Sequence, residues 1–278
     1  QLVGTIGEMI VNRSVMNQRL ADVHARIAST FSILERMQLA SFELQSNHNL
    51  EFADFLNDEL AGPLGEIRSA EREHRRRQDI LADAFLGELA KRDDLLALSI
   101  HVDYWDYIGW KDRFASPDKT KRQRAYAPKL GMRYVYTPQM IVQGANHATG
   151  SDRDKILALI AKAQKSKRVA VTINRAEDGV RVTVAGADTT EEAAVWLAVF
   201  DNRHDTDIKR GENGGRMLSY YNVVRGMKRI GTWKGRPLDI PTGNADLSTE
   251  GRDGCAVILQ LVSTGRILGA AKLALTGS

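Results

Sequence analysis

The segment His101-Val102-Asp103-Tyr104-Trp105-Asp106-Tyr107-Ile108-Gly109-Trp110-Lys111-Asp112 gathers more chemistry than any other stretch of the chain. A histidine two residues before an aspartate shares its face if both lie on a strand. Such a pair is half of a metal site, or a base set against the carboxylate that orients it. Two side chains do not complete a metal site, and a hydrogen-bonded structural pair is the simpler reading. Trp105, Tyr107 and Trp110 have large apolar bodies with a polar edge, which suits loop anchoring before it suits a ligand platform. The second segment is Val135-Tyr136-Thr137-Pro138-Gln139-Met140. Proline has no N–H for a ladder, so Pro138 fits the first residue of a strand, where an X–Pro bond can be cis. Together the two segments define a candidate binding surface: His101, Asp103, Tyr104, Trp105, Asp106, Trp110, Tyr136, Thr137, Pro138 and Gln139.

Other chemistries find little support. The sole cysteine, Cys255, lies in the apolar run Gly254-Cys255-Ala256-Val257-Ile258-Leu259 and reads as a buried core thiol. One cysteine builds neither a disulfide within the chain nor a zinc site of the Cys-x-x-Cys kind. Gly211 to Gly215 is a glycine-rich turn rather than a phosphate loop, and Ser-His-Asp or paired-carboxylate orders are not legible. No catalytic residue, metal or cofactor is assigned. A metal or small-molecule site at His101 and Asp103 would draw on Glu212 and Asn213 as outer contributors.

The elements that must position these residues fall in three stretches. From Ile6 to Lys91 the sequence reads as helical: Ile6, Met9, Met16, Leu20, Val23, Ile27, Leu34, Met37 and Leu44 follow a 3–4 spacing. Gly62-Pro63 separates helices there, and Glu66 to Lys91 is rich in helix formers. Leu95 to Lys165 reads as α/β. The run Leu95 to Val102 predicts a strand buried on both faces, Thr120 to Leu130 a polar helix, and Met140 to Val142 a strand ended by Gly144. Ser151-Asp152-Arg153-Asp154 predicts a helix start, with the helix running to Lys165. From Val169 onward the sequence reads as β-rich. Alternation at Val169, Val171, Ile173 and at Val180, Val182, Val184 flanks the turn Ala176 to Gly179. Ala194 to Phe200, Cys255 to Val262 and Ile267 to Leu273 are further strands, the last two joined at Ser263 to Arg266.

The 278 residues carry a formal net charge of +4, with 43% hydrophobic and 27% charged residues, as expected of a globular chain. The basic runs at His74 to Arg77 and Lys119 to Arg124 lack interleaved aromatics and read as solvated faces, so nucleic acid is not an expected partner. No run approaches the length of a membrane span, and no signal peptide is visible.

The two chemical segments, with Arg122 to Tyr126, Gly144, Gly150-Ser151, Arg210 to Arg216 and Gly265 to Ala271, resemble a secreted, thioredoxin-like bacterial family called domain of unknown function 1223, over roughly residues 81–274. The resemblance implies an α/β thioredoxin-like domain at 80–167 and a β-rich, sandwich-like domain at 168–278. An N-terminal helical region, 1–79, stands outside it, as a fused module or an artefact of the reading frame. The resemblance also implies a cis Pro138 and a periplasmic or secreted location. It departs where chemistry would sit. Aligning Ala82 to Leu86 with the family motif sets its two cysteine positions at Arg76 and Asp79. Thiol–disulfide exchange needs a thiolate at a helix start and a second, resolving thiol, which Arg and Asp do not supply. Arg75 to Arg77 also oppose a helix N-terminal dipole and fit better inside a continuing helix. The first strand of the unit is then missing or supplied elsewhere.

Two functional expectations follow. One is a binding or scaffold module without redox activity, taking a protein or small-molecule partner and self-associating through its N-terminal helices. The other is a thiol–disulfide oxidoreductase relative whose Cys-x-x-Cys segment is missing. A faint likeness of Asp22 to Arg26 to a histidine-kinase dimerisation helix is outweighed by a plain helical bundle.

Overall fold

The computed structural model describes residues 5–11, 73–74, 76–104, 106, 111–208, 216–247 and 252–275, with backbone alone at 5–11, 208, 216 and 246. The helical expectation for 12–72 lies outside the described residues, as do Trp105, Tyr107, Trp110, Glu212 and Asn213. The strands and helices below belong, apart from residues 76–77, to one unit made of residues 1–14 and 78–278.

Residues 5–11 correct the sequence reading. They form strand β1, Thr5–Val11, not the start of a helix. The 3–4 spacing of Ile6 and Met9 was the helical signal, but Thr5, Ile6, Ile10 and Val11 are β-branched and suit a pleated surface. Long-range pairing decides the outcome. β1 runs parallel to β2, Leu95–His101, in register from Thr5↔Leu95 to Val11↔His101. Its other edge pairs antiparallel with β3, Gln139–Val142, from Gly7↔Val142 to Ile10↔Gln139. A hairpin to β4, Asn146–Thr149, completes this half of the sheet. At its tip Gly144 adopts φ 62°, and a Cβ there would collide with the Gly265 carbonyl.

Three helices cover the two faces. Helix α1, 76–90, buries Ala82, Phe85, Leu86 and Leu89, a single 3–4 stripe. Helix α3, Arg153–Gln164, buries Ile156, Ile160 and Ala163 in the same cluster. Asp152 caps it, its carboxylate accepting from the Lys155 N–H at 3.3 Å. Helix α2, Pro117–Lys129, lies in a different cluster, where Tyr126 meets Leu96, Leu98 and Ile100 of β2. It begins three residues before the expected Thr120 because Ser116-Pro117 supplies the start, with proline at the first helical position. Alternation along β2 explains the two clusters: Leu95 and Ala97 face α1 and α3, whereas Leu96, Leu98 and Ile100 face α2.

Four further strands extend the same sheet. β7, Ala193–Ile208, and β8, Arg216–Trp233, form a long antiparallel ribbon, and β8 meets β2 at Ser99↔Val223. β10, Gly254–Leu261, pairs with β7, and β11, Ile267–Ala274, with β10, giving the order β11-β10-β7-β8-β2-β1-β3-β4. The sheet is therefore mixed. A second sheet of β5, Val171–Ala176, β6, Gly179–Val184, and β9, Leu238–Gly243, packs on it. Val171, Ile173, Val180, Val182 and Val184 meet Val195, Leu197, Cys255 and Val257 there, over Trp233. The turn at 177–178 and the β10–β11 hairpin match the sequence reading. Pro241 is accommodated because β9 is an edge strand. A short helix α4, Asn244–Leu247, follows it. The described residues are thus mostly β, a mixed sheet flanked by three principal helices.

Candidate functional site

The sheet brings the two chemical segments to one edge. β1 and β2 end together, Val11 opposite His101, and β3 begins there, Gln139 opposite Ile10. The end of β2, the loop after it and the Thr137–Pro138 turn therefore share the carboxyl edge of the parallel pair, where α/β sheets place ligands. The Thr137–Pro138 peptide bond is cis.

Hydrogen bonds tie the segments directly. The Tyr104 hydroxyl donates to Gln123 Oε1 at 2.9 Å. Gln123, fully buried on α2, donates through Nε2 to the Tyr136 carbonyl at 2.8 Å and to Gln139 Oε1 at 2.9 Å. One glutamine thus holds the loop, the proline turn and β3 in register. The Tyr136 hydroxyl in turn lies within hydrogen-bond distance of His147 Nδ1, at 2.7 Å. Burial lowers the His147 pKa, with Lys155 adding to the effect, and burial pushes that of Tyr136 up, so the pair favours its uncharged forms.

His101 and Asp103 do not pair with each other. β2 stops at His101, so the same-face rule that joins i and i+2 on a strand ends with it. His101 Nδ1 lies 2.6 Å from Asp112 Oδ2, and because a carboxylate only accepts, Nδ1 carries the proton. Asp112 also accepts from the Phe114 N–H at 2.8 Å and donates its own N–H to Asp106 Oδ1 at 3.1 Å. Asp103 turns to α2: its carboxylate accepts from the Thr120 hydroxyl at 2.5 Å, and its N–H donates back to that oxygen at 3.1 Å. Burial, with Asp112 and Asp103 nearby, holds the Asp106 carboxyl above its ordinary range.

A histidine oriented by a carboxylate is the geometry of a general base. Here the ring is 1% exposed and lies edge-on to Phe114 and Tyr220, with centroids 5.4 and 4.9 Å away. That enclosure fits a framework role. Thr137, Pro138 and Gln139 are buried too, while Asp103, Tyr104, Asp106 and Tyr136 keep part of their surface. Gly150 closes behind the turn, where a Cβ would come 2.8 Å from Ala82 Cβ and 3.2 Å from Pro138 Cβ. The positions aligned with cysteines, Arg76 and Asp79, lie inside α1, with Asp79 5% exposed.

A second polar cluster adjoins the first through Phe114 and was not foreseen. Asp201, on β7, accepts from His204 Nε2 at 2.6 Å and from Arg225 of β8 at 2.8 Å, with Arg252 at 3.5 Å. Phe114 stacks against His204 at 4.7 Å, and Arg225 lies 5.1 Å from the same ring. Reading strand β7 only to Phe200 hid Asp201 and His204, and its pairing with β8 is invisible in local sequence. Among the described residues, no group of three or more His, Cys, Asp or Glu could hold a metal ion. No described helix is long and apolar enough to cross a membrane.

Comparison with known proteins agrees with the resemblance read from the sequence. The model of the family described as "Protein of unknown function (DUF1223)" matches residues 80–260. The chain is also similar to the crystal structure of a structural-genomics target protein from Agrobacterium tumefaciens, at 32% sequence identity and a TM-score of 0.62, covering 71% of this chain and 88% of that one. A search of curated proteins found no match. The chain belongs to the DUF1223 family.

Proposed function

We propose that this member of the DUF1223 family is a thioredoxin-like binding module that works without thiol chemistry. It recognises a protein or small-molecule partner at the edge where β2 ends and β3 begins. The observation that carries the reading is the order β2-β1-β3-β4, with β1 and β2 parallel and β3 and β4 antiparallel to their neighbours, α1 and α3 on one face and α2 on the other. This strand–helix–strand unit followed by a hairpin and helix supports a thioredoxin-like first half, with β5 to β11 as the β-rich second half. The only cysteine of these 278 residues supports the rest. Cys255 is fully buried in β10, and burial pushes its thiol up to about 12, so it is protonated and enclosed at neutral pH. Tyr104, Asp106 and Tyr136 offer the contact groups, and His101, Gln123 and Gln139 hold them in place.

Selection of displayed peptides against the immobilised protein tests this reading. Enriched peptides should bind the wild type and lose affinity for Tyr104→Ala and Asp106→Asn. Peptides indifferent to both changes would remove the proposed surface. Dithiol-dependent insulin reduction above the rate of dithiothreitol alone would remove the redox-free reading.

One observation favours a second reading, an oxidoreductase relative whose thiol segment is missing. β1 ends at the same edge as His101 and Pro138, so a Cys-x-x-Cys turn placed after Val11 would fall at this site. A variant carrying that turn should then reduce insulin, and its inactivity would count against the reading. An exported location rests on the family resemblance, and fractionation of a cell expressing the natural gene tests it.

A further inference from the structure

Lys119 stands in the first turn of α2 and is buried, although lysine is among the residues least often enclosed. Its Nζ donates to the carbonyl of Phe114 and, at 2.6 Å, to the carbonyl of Val224 on β8. Lys119 and Val224 both line a cavity of about 680 Å³ between α2 and strands β7, β8 and β10, so this contact belongs to the cavity wall. The lining is mixed: Tyr126, Trp196 and Met227 are apolar or aromatic, while Arg225 and Gln260 are polar. Neither Tyr104 nor the Thr137–Pro138 turn lines it. The volume falls within the range of roughly 300–1,000 Å³ that small-molecule sites occupy.

The protons on this nitrogen can be counted. A lysine ammonium has three N–H donors, whereas the neutral amine has two and a lone pair. The two carbonyls accept two N–H groups, and among the described residues none accepts a third. The neutral amine is therefore the form whose donors the site satisfies, with the lone pair in the remaining position. Burial favours the same form. It pulls the pKa from 10.5 down to about 8, with Asp112 opposing and Arg225 and Arg252 assisting. At pH 7 the neutral fraction is then about 300-fold that of an amine at 10.5. A desolvated lysine beside other cations is a nucleophile toward carbonyl carbon.

We propose that Lys119 is a nucleophilic lysine that captures a small aldehyde from this cavity as an imine. The nitrogen lone pair attacks the aldehyde carbon, forming the C–N bond as the carbonyl π pair moves to oxygen. One N–H proton passes to that oxygen, giving a carbinolamine. The hydroxyl then leaves as water, taking one proton from solvent, and the nitrogen closes the C=N bond of an iminium. The iminium keeps one N–H for one of the two carbonyls. The site is independent of recognition at the edge formed by β2 and β3.

Reductive trapping on the full chain tests the proposal. The protein is incubated at pH 7 with benzaldehyde and sodium cyanoborohydride, which reduces the iminium to a stable secondary amine, and benzylated lysines are mapped by mass spectrometry. Lys119 should be labelled about tenfold faster than Lys121, whose side chain is 77% exposed; the larger gain in neutral amine leaves room for slower entry. Lys119→Met should lose that adduct alone. Met227→Trp, which narrows the cavity from β8, should slow labelling of Lys119 and leave that of Lys121 unchanged. Labelling of Lys119 no faster than Lys121 in the wild type would overturn the assignment. So would unchanged labelling of Lys119 in a Met227→Trp variant with native circular dichroism.

Discussion

Lys119 sits in the first turn of α2, 9% exposed, with its amine held by two backbone carbonyls. Burial pulls its pKa from 10.5 down to about 8, with Asp112 opposing and Arg225 and Arg252 assisting. A base whose folded pKa is depressed destabilises the fold while both states are protonated. Between pH 8 and 10.5 the unfolded chain binds more protons, so stability rises with pH through that window and levels off above it. Moving a pKa from 10.5 to about 8 is worth about 3 kcal/mol. Lys119→Met removes the titrating group and leaves the two carbonyls without a donor, a loss of about 1–3 kcal/mol for each acceptor stranded in the interior. At pH 7 that loss is offset by removal of the buried ammonium, so the variant should lie close to the wild type. At pH 10.5 the offset is gone. Urea unfolding followed by tryptophan fluorescence, run on both proteins at both pH values, isolates the effect, because all other titrations are shared. The wild type should gain about 3 kcal/mol on Lys119→Met between pH 7 and 10.5. A stability gap that does not change with pH would refute the reasoning.

Three further outcomes are expected. Gly150→Val should lower stability by about 1–3 kcal/mol in thermal unfolding, because its Cβ must displace Ala82 or the Pro138 turn. Asp201→Asn should lower it by about 3–5 kcal/mol, since His204, Arg225 and Arg252 lose the buried carboxylate they surround; an unchanged melting temperature would show the cluster to be incidental. Cys255 should resist Ellman's reagent at pH 8 in the native protein and react fully in denaturant, and rapid native labelling would contradict its burial in β10.

How much of this was legible depended on the range of the interactions. The β5–β6 and β10–β11 hairpins carry their own turn chemistry at 177–178 and 263–266, and α3 carries its own cap in Asp152. The strand at Leu95 to His101 is a plain apolar run. The spacing of Ile6 and Met9 points to a helix because the identity of β1 depends on β2, which follows some 90 residues later and pairs Thr5 with Leu95. β8 mixes Asn222, Arg225 and Lys228 into its length, so its pattern shows no clean alternation; only the ribbon with β7 defines it. The site divides along the same line. His101 and the proline turn announced themselves by residue type, whereas Gln123, which joins them, sits in a polar helix where nothing local marks it as buried. The pairing of His101 with Asp103 follows from a strand rule applied two residues past the strand's end, and Asp112, eleven residues on, takes the place of Asp103.

The central claim is that recognition occurs at the edge shared by the end of β2 and the start of β3. Amide hydrogen exchange read by mass spectrometry, with and without a peptide selected for binding, tests it most directly. The account predicts added protection at residues 102–106 and 134–139, and none of comparable size on β9 or the β10–β11 hairpin. Protection confined to β9 or that hairpin, with residues 102–106 and 134–139 unchanged, would contradict it.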